Sequence, residues 1–192
     1  MLRIGLSGGI GSGKSTVAGI LAKMGYPVFY SDQEAKRLYD ENPVLQKQLV
    51  DLFGPAIYRD GQLNKAFFAQ QLFSNAELKA QVTALVHPLV RKAFEVWAQQ
   101  QASDLVFNEA AILFETGAYK DFDATVLVTA PIETRIERVQ KRDLISREAV
   151  LQRIANQWPD SKKMNLTPYI ITNDGQPLLQ QIEDVISKLK TA

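Results

Sequence analysis

The residues with the clearest chemistry lie near the start of the chain, in a glycine-rich stretch that ends in a lysine and a hydroxyl. The stretch fits the pattern G-x-x-x-x-G-K-[ST] and reads Gly8-Gly9-Ile10-Gly11-Ser12-Gly13-Lys14-Ser15. Glycines allow positive φ angles, so that successive N–H groups can point into one concavity and bind phosphate oxygens. The lysine ammonium can reach the β- and γ-phosphates, and the serine hydroxyl suits Mg²⁺. The stretch therefore predicts a site for a nucleoside triphosphate with Mg²⁺.

The segments on either side of this stretch are those needed to position it. The apolar run at 2–7 has the length of a buried strand, and the segment from about 14 to 24 favours a helix. The positive end of that helix adds to the attraction for phosphate. The predicted nucleotide contacts are therefore Gly9, Ile10, Gly11, Ser12, Gly13, Lys14, Ser15 and Thr16, with Ser15 also on the metal.

Strand and helix signals alternate along most of the remaining chain. Short apolar runs predict strands at 26–30, 104–109, 124–129 and 168–172. From about 43 to 101 helical periodicity prevails and no strand is predicted, although Asp60-Gly61 marks a turn. Strands separated by helices form parallel sheets through right-handed crossovers. The pattern predicts an α/β P-loop NTPase fold of three layers with a five-stranded parallel sheet.

The predicted elements divide the chain into three parts. The core comprises 1–42, 102–140 and 159–192, the helical insertion is 43–101, and a small helical lid is 141–158. An insertion between the second and third strands could carry the site for a second substrate. The lid is expected because a short charged connection, Arg142 to Arg147, joins two helices, the second of which Ser146 could begin.

One carboxylate stands where a hydroxyl acceptor could be activated. Asp32 follows the second strand at its carboxyl end, the edge at which ligands gather in open α/β sheets. It could accept the proton of a hydroxyl and act as general base. Alternatively, Asp32 caps the helix predicted at 33–41, and the two roles can coexist.

Several arginines could supply positive charge around a migrating phosphoryl group. Arg135, Arg138 and Arg142 recur at spacings of three and four, and Arg153 follows on the next predicted helix. Phosphoryl transfer depends mostly on positioning and positive charge, which favours a catalytic role for Arg142 in the lid. Alternatively, these arginines belong to a solvated helix with Glu133, Glu137 and Asp143 as surface partners.

The composition excludes several classes of function. The chain has 192 residues, no cysteine and a net charge of +1. Disulfide and thiolate-metal chemistry are therefore excluded, and a broad nucleic-acid surface is not favoured. No apolar stretch approaches the roughly 18 residues that a membrane span needs. We expect a soluble cytoplasmic protein with small-molecule substrates and neither nucleic-acid nor membrane partners; the oligomeric state is left open.

Two strings that could indicate a guanine-nucleotide switch do not fit that class. Asn64-Lys65-Ala66-Phe67 lacks the aspartate of the N-K-x-D base reader. Asp51-Leu52-Phe53-Gly54 matches D-x-x-G, but it ends a helical stretch instead of a buried strand. A kinase for a small hydroxyl or nucleotide acceptor is favoured, and a nucleotide-dependent switch or assembly ATPase is the alternative from another class.

An ordered set of motifs runs through almost the whole chain. Its members are 8–16, Asp32 with Ala35 and Arg37, His87-Pro88, Ala111-Ile112-Leu113-Phe114-Glu115, Arg142-Asp143, Arg153-Ile154 with Gln157, and Ile171 with Asn173 and Gly175. Together they resemble the dephospho-coenzyme A kinases. The first motif is generic to P-loop kinases, whereas the His-Pro and Leu-Phe-Glu elements make the set specific.

The resemblance implies an ATP-dependent transfer of the γ-phosphoryl group to the ribose 3′-hydroxyl of dephospho-coenzyme A, the last step of coenzyme A synthesis. It implies Asp32 as general base beside Lys14 and Arg142, with ATP and Mg²⁺ as cofactors. The substrate side is expected to involve Asp32, Arg37, His87, Arg91, Leu113, Phe114, Glu115 and Arg153. Alternatively, His87 is a packed residue or caps the helix that Pro88 is expected to start at 88–101, because proline favours extended geometry in the residue before it.

Four further points concern the ends of the predicted strands. The adenine is expected between the lid-proximal helix and the turn that contains Asn173 and Gly175. Glu109 stands where the family more often has aspartate, so its role is left open. Tyr30-Ser31-Asp32 keeps only the last carboxylate of the family's Asp-Ala-Asp pattern, and Thr167-Pro168 replaces a common Ala-Asp pair.

Overall fold

The computed structural model describes residues 1–191 and divides the chain into two compact units. We call Met1–Tyr30 together with the chain from Gln101 onward the sheet unit, and Ser31–Gln100 the helical unit. The strands are β1 (Leu2–Gly8), β2 (Val28–Tyr30), β3 (Tyr58–Arg59), β4 (Gln62–Leu63), β5 (Leu105–Glu109), β6 (Ala124–Thr129) and β7 (Tyr169–Thr172). The helices are α1 (Lys14–Lys23), α2 (Ser31–Glu41), α3 (Pro43–Phe53), α4 (Lys65–Ser74), α5 (Ala76–Gln99), α6 (Ile132–Asp143), α7 (Arg147–Ala155), α8 (Asp160–Met164) and α9 (Leu178–Thr191).

The sheet unit is built on a five-stranded sheet in the order β2-β5-β1-β6-β7, with every neighbouring pair parallel. The predicted five-stranded parallel α/β sheet is therefore confirmed. In this register Leu6 of β1 and Tyr30 of β2 both pair with Glu109 of β5. The carboxyl ends of β1 and β5 consequently meet at one edge, where the glycine-rich loop begins.

Buried apolar residues hold this sheet between helices. β1 and β6 have long buried stretches, as expected for central strands of a parallel sheet covered on both faces. Their apolar side chains form one cluster with helices α1 and α9, comprising Ile4, Leu6, Val126 and Val128 from the strands, Val17, Ala18 and Leu21 from α1, and Ile182, Val185, Ile186 and Leu189 from α9. The loop between β1 and α1 is thereby supported at both ends by packed elements.

The helical unit has its own core and well-defined helix starts. Asn42, Asn64 and Asn75 each accept a hydrogen bond from a backbone N–H in the first turn of the following helix. The helices bury one apolar cluster made of Leu38, Leu45, Leu49, Ile57, Leu63, Phe68, Val82 and Val86.

In the described part of the chain, no helix has the length and apolar character that crossing a membrane requires.

Two expectations for the helical unit are wrong. First, the stretch predicted to lack strands contains the antiparallel pair β3–β4 around the Asp60-Gly61 turn. Second, Pro88 lies inside α5 and does not start a helix at 88, so His87 is helical and not extended. Val86 before the proline and Leu89 after it pack into the same apolar cluster. This apolar packing on both sides offsets the cost of the backbone hydrogen bond that is lost at proline.

Candidate active site

The glycine-rich loop folds into the turn geometry that its glycines permit. Ser12 N–H donates to the carbonyl of Gly9 at 3.0 Å, and Gly11 has a φ of 78° at the third position of that turn. These are features of a type II turn, which requires positive φ at this position. A Cβ on Gly11 would lie 2.5 Å from the carbonyl oxygen of Arg135. Glycine is therefore required here by both the backbone conformation and the available space.

The lysine and serine at the end of the loop both contact Glu109. Lys14 Nζ forms an ion pair with Glu109 Oε1, and Ser15 Oγ donates to the same oxygen at 3.3 Å. Glu109 is 4% exposed at the carboxyl end of β5. A buried carboxylate needs such partners, because an unpaired charge is costly to bury. Glu109, whose role sequence reasoning left open, thus contacts both the lysine and the serine that end the loop.

The carbonyl groups of the loop are held from outside by α6 and the end of β7. Arg138 Nη1 donates to the carbonyl of Gly11 at 3.4 Å, and Asn173 Nδ2 donates to that of Ser12 at 3.0 Å. Arg138 Nη2 also donates to Asn173 Oδ1 at 3.2 Å, so the two side chains support each other. Asn173 therefore lies against the loop, while Gly175 is exposed in the following turn with a φ of 103°.

For Arg135, as for the partly buried Arg138, the solvated-helix alternative is wrong. Arg135 is 6% exposed, and its Nε donates to the carbonyl of Ile10 at 2.9 Å. Its Nη1 lies 3.3 Å from Asp160 Oδ2, which also accepts from Thr129 Oγ1 at 2.7 Å. This buried, hydrogen-bonded ion pair fixes the guanidinium under the glycine-rich loop. The spacing of the arginines predicted a shared helical face but not the depth of this side chain.

The predicted lid arginines converge on one carboxylate. Arg142 Nε donates to Asp143 Oδ1 at 2.7 Å, and Arg153 Nη1 donates to Asp143 Oδ2 at 2.6 Å. The hydrogen bond from Arg142, together with that from Arg153, lowers the pKa of Asp143 below its ordinary value. The Arg142 and Arg153 side chains are still half-exposed, so both guanidinium groups remain accessible to an anion. Ser146 caps α7 as predicted, accepting from Ala149 N–H at 3.2 Å.

The Leu-Phe-Glu element lies inside the sheet unit. Leu113 and Phe114 are buried, and the Phe114 ring packs on that of Tyr119. Glu115 Oε1 lies 2.7 Å from Nζ of the fully buried Lys163 and accepts from Trp158 N–H at 3.0 Å. These contacts give the three residues a packing role, and their predicted contact with a substrate stays a prediction.

The remaining predicted residues lie on two helices of the helical unit. Asp32 is exposed in the first turn of α2, and Arg37 on the same helix is paired with Glu34 at 2.6 Å and with Glu41. His87 and Arg91 lie one turn apart on α5. Partial burial, followed by the Arg91 charge, lowers the pKa of His87 below its ordinary value of 6.5. A cavity of about 490 Å³ runs along α5 past Lys79, Thr83 and His87.

Sequence reasoning gave no role to Gln157 and Asp160, and it considered Arg135 only as a source of positive charge around the phosphoryl group. Arg135, Gln157 and Asp160 all contact the loop or its supports, Gln157 by accepting from Ile10 N–H at 2.8 Å. Gln157 is separated from its partner by 147 residues of sequence. Its place in the ordered motif set was the only signal available before the structure. A glycine-rich loop that joins the first strand of this parallel sheet to α1, with its lysine and serine, is typical of the α/β P-loop NTPase fold.

Comparison with known proteins identifies the family. The dephospho-CoA kinase family model matches residues 2–178. A dephospho-CoA kinase of Bacteroides fragilis is 40% identical over 190 residues, covering 98% of this chain and 93% of the relative. A solved protein from Thermus thermophilus superposes with a TM-score of 0.86 at 35% identity, covering 99% and 96% of the two chains. Dephospho-CoA kinase from Campylobacter jejuni shares the fold, with a TM-score of 0.70 at 23% identity over 98% and 97%. The chain belongs to the dephospho-CoA kinase family.

Proposed function

We propose that this kinase transfers the γ-phosphoryl group of ATP to the ribose 3′-hydroxyl of dephospho-coenzyme A and so forms coenzyme A. The observation that carries the proposal is the contact of Lys14 and Ser15 with Glu109 at the end of the glycine-rich loop, in a chain of this family. A loop with this lysine and hydroxyl is suited to a triphosphate. Family membership supports the identity of the acceptor.

On the donor side, the amides of the loop from Gly9 to Thr16 bind the phosphates. Lys14 leaves its ion pair with Glu109 to contact the β- and γ-phosphates, so its charge moves to the transferring group. Arg142 and Arg153 of the lid, 141–158, provide further positive charge, and both are accessible while paired with Asp143. Asn173 and Gly175 border the adenine in this proposal, at the turn after β7.

A magnesium ion is part of the proposal, and the oxygen atoms at the loop suit it. Ser15 Oγ and Glu109 Oε1 are 3.3 Å apart, an alcohol and a carboxylate oxygen of the kind that Mg²⁺ prefers. Within residues 1–191 no group of three or more His, Cys, Asp or Glu side chains could hold a metal. The remaining ligands would therefore come from phosphates and water, which is usual for Mg²⁺ in kinases. When bound, the ion neutralises charge on the phosphate oxygens.

On the acceptor side, Asp32 is the general base. It is an exposed carboxylate in the first turn of α2, and it follows β2 by two residues of chain. Residues 43–101 bind the coenzyme A moiety, with His87 at the α5 cavity and Arg91 one turn further along the same helix. Arg37 and Glu115 also contribute to acceptor binding in this proposal. Lowering the pKa of His87 keeps its imidazole neutral near pH 7, where it can donate or accept a hydrogen bond.

Both substrates of this reaction are small molecules, and ATP is the donor. We therefore place the enzyme in the cytoplasm and assign it no nucleic-acid or membrane partner.

An acceptor screen tests the proposal. The purified chain is given ATP and Mg²⁺ with dephospho-coenzyme A, adenosine or shikimate, and release of ADP is followed by a coupled assay. Dephospho-coenzyme A should be the acceptor with the highest kcat/KM, and Lys14→Met should remove the signal. Equal ADP release without any acceptor would indicate an ATPase and contradict the proposal. A preference for adenosine or shikimate would indicate a kinase of another hydroxyl.

A further inference from the structure

Both peptide groups that flank Ile10 are held by side chains from distant parts of the sheet unit. The N–H of Ile10 donates to Gln157 Oε1 at 2.8 Å. The carbonyl of Ile10 accepts from Arg135 Nε at 2.9 Å. Ile10 is the second residue of the Gly9–Ser12 turn, so these two hydrogen bonds act on the turn that opens the glycine-rich loop.

The hydrogen bond to the Ile10 carbonyl decides how the next amide points. Type I and type II turns differ in the orientation of the central peptide, here the one between Ile10 and Gly11. In a planar trans peptide the N–H points opposite to the C=O. Because Arg135 holds the Ile10 carbonyl, the Gly11 N–H points away from Arg135. A flip of this peptide would turn the Gly11 amide in the opposite direction.

The preceding peptide is held at both of its ends. Its carbonyl, that of Gly9, accepts from Ser12 N–H at 3.0 Å within the turn. Its N–H, that of Ile10, donates to Gln157. The partly buried Gln157 lies just after α7, which ends at Ala155. The loop conformation therefore depends on a side chain that follows the predicted lid helix.

The two side chains, those of Arg135 and Gln157, are themselves held in place by neighbouring contacts. Arg135 is buried and paired with Asp160, which is itself hydrogen-bonded to Thr129 on β6. The residue after Gln157, Trp158, donates its backbone N–H to Glu115 at 3.0 Å. The side chain of Ile10 packs on the apolar cluster of Ile136, Val139 and Val150, which joins α6 to α7. A side chain anchored in this way can hold a peptide group in one orientation.

We propose that Gln157 and Arg135 are positioning residues that set the two peptide groups flanking Ile10, and thereby aim the loop amides at the nucleotide phosphates. Neither side chain needs to touch the nucleotide for this role. The inference rests on the nucleotide-binding part of the proposed function and is independent of the acceptor. Small errors in the position of binding groups weaken interactions with charged ligands strongly, so the effect should be measurable as nucleotide affinity.

The test compares ADP binding by the full chain and by Gln157→Leu, using calorimetry with Mg²⁺ present. Leucine has a similar size but cannot accept the Ile10 N–H. The dissociation constant of ADP and the KM for ATP should each rise about tenfold, while the KM for the acceptor stays unchanged. The melting temperature should shift by less than about 4 °C. A packing role alone would lower the melting temperature and leave the ADP affinity of the folded protein unaltered.

Further variants separate the proposed positioning role from a general effect of substitution. Gln152→Leu changes an exposed glutamine of α7 and should bind ADP like the wild type. Arg135→Lys keeps the charge near Asp160 but removes the Nε donor, and it should weaken ADP binding as Gln157→Leu does. If Gln157→Leu does not fold, Gln157→Asn, whose shorter side chain withdraws the acceptor, replaces it.

Wild-type ADP affinity in the folded variants of both residues would overturn the proposal, as would an equal loss in Gln152→Leu. ADP binding requires no acceptor. A failure of the acceptor screen would therefore leave this result standing, and a failure here would leave the identity of the acceptor untouched.

Discussion

The sheet unit and the helical unit hold their candidate residues in different ways. In the sheet unit, the glycine-rich loop is held by side chains from α6, from residue 157 and from the end of β7, all distant in sequence. In the helical unit, Arg37 is paired with residues three and four positions away on its own helix, and Asp32 is exposed. The residues proposed for the donor site are thus held by contacts between distant parts of the sequence, whereas Arg37, a proposed acceptor residue of the helical unit, is held within its own helix.

This difference indicates how the two halves of the reaction depend on the protein. Loop amides and Lys14 must be aimed at several phosphate oxygens at once, which favours a preorganised site. A general base needs only to reach one hydroxyl when the acceptor is bound. We therefore expect changes in the sheet unit to affect nucleotide affinity and turnover, and changes at Asp32 to affect turnover alone.

The largest effect is expected for Asp32→Asn, which removes the proposed base while keeping the shape of the side chain. The kcat should fall by about two to four decades, the range for acid–base groups, because the acceptor hydroxyl then keeps its proton. The dissociation constant of ADP should stay at the wild-type value. Steady-state kinetics and calorimetry measure the two quantities, with Asp51→Asn, an exposed carboxylate of α3, as the control. Near-normal turnover would remove Asp32 from the mechanism.

The next effect concerns Arg142 of the lid. Arg142→Met should lower kcat by about 10²–10³-fold, the usual loss when a donor to the developing charge is removed. Arg147→Met is the matched control, because Arg147 is paired with Glu133 at 2.6 Å on the surface and should leave kcat unchanged. Equal kinetics for the two variants would show that Arg142 belongs to the surface set, as the solvated-helix alternative holds.

Glu109→Gln should have an intermediate effect within the sheet unit. The variant keeps a hydrogen-bonding side chain but removes the charge that pairs with Lys14. Groups that support a metal and its ligands typically contribute about 10–100-fold to activity, so a loss of kcat in that range is expected. The Mg²⁺ concentration for half-maximal rate should rise, and Glu109→Asp should recover part of the activity. An unchanged Mg²⁺ dependence would separate Glu109 from the metal.

The smallest effect is expected in the helical unit, from the titration of His87. Burial lowers its pKa in the folded state, so below pH 6.5 the unfolded state binds more protons. The free energy of unfolding should therefore rise with pH up to about 6.5, by less than about 1 kcal/mol because His87 is half-exposed. Urea unfolding between about pH 5 and pH 7 measures this slope, which His87→Gln should reduce. An identical slope in the variant would assign the titration to other groups.

The sequence predicted those parts of the fold that a few neighbouring residues determine. The glycine-rich stretch, the apolar runs and the turn at Asp60-Gly61 each lie within a few residues, and the structure has all of them. The strands β3 and β4 are two residues each, too short for an alternating pattern to reveal. The passage of α5 through Pro88 was not predictable, because it depends on tertiary packing that overrides a local preference.

The side-chain contacts that hold the glycine-rich loop could not be predicted from neighbouring residues of the sequence. The hydrogen bond from Arg135 to Ile10 spans 125 residues of sequence. An arginine in a charged helix gives no sign of whether it lies under a loop or in solvent, and only the fold decides. Glu109 gave a partial signal, since it ends a buried strand beside the loop in a parallel sheet. The assignments of Asp32, His87 and Arg91 to the acceptor remain predictions.

The atom that receives the phosphoryl group is the sharpest test of the proposed reaction. The purified chain is incubated with dephospho-coenzyme A and ATP labelled in the γ-phosphoryl group, and the product is analysed by mass spectrometry and fragmentation. We expect one labelled phosphoryl group per molecule of coenzyme A, attached to the ribose 3′ oxygen, with one ADP formed for each. Label found only in inorganic phosphate, or on another oxygen of the acceptor, would contradict it.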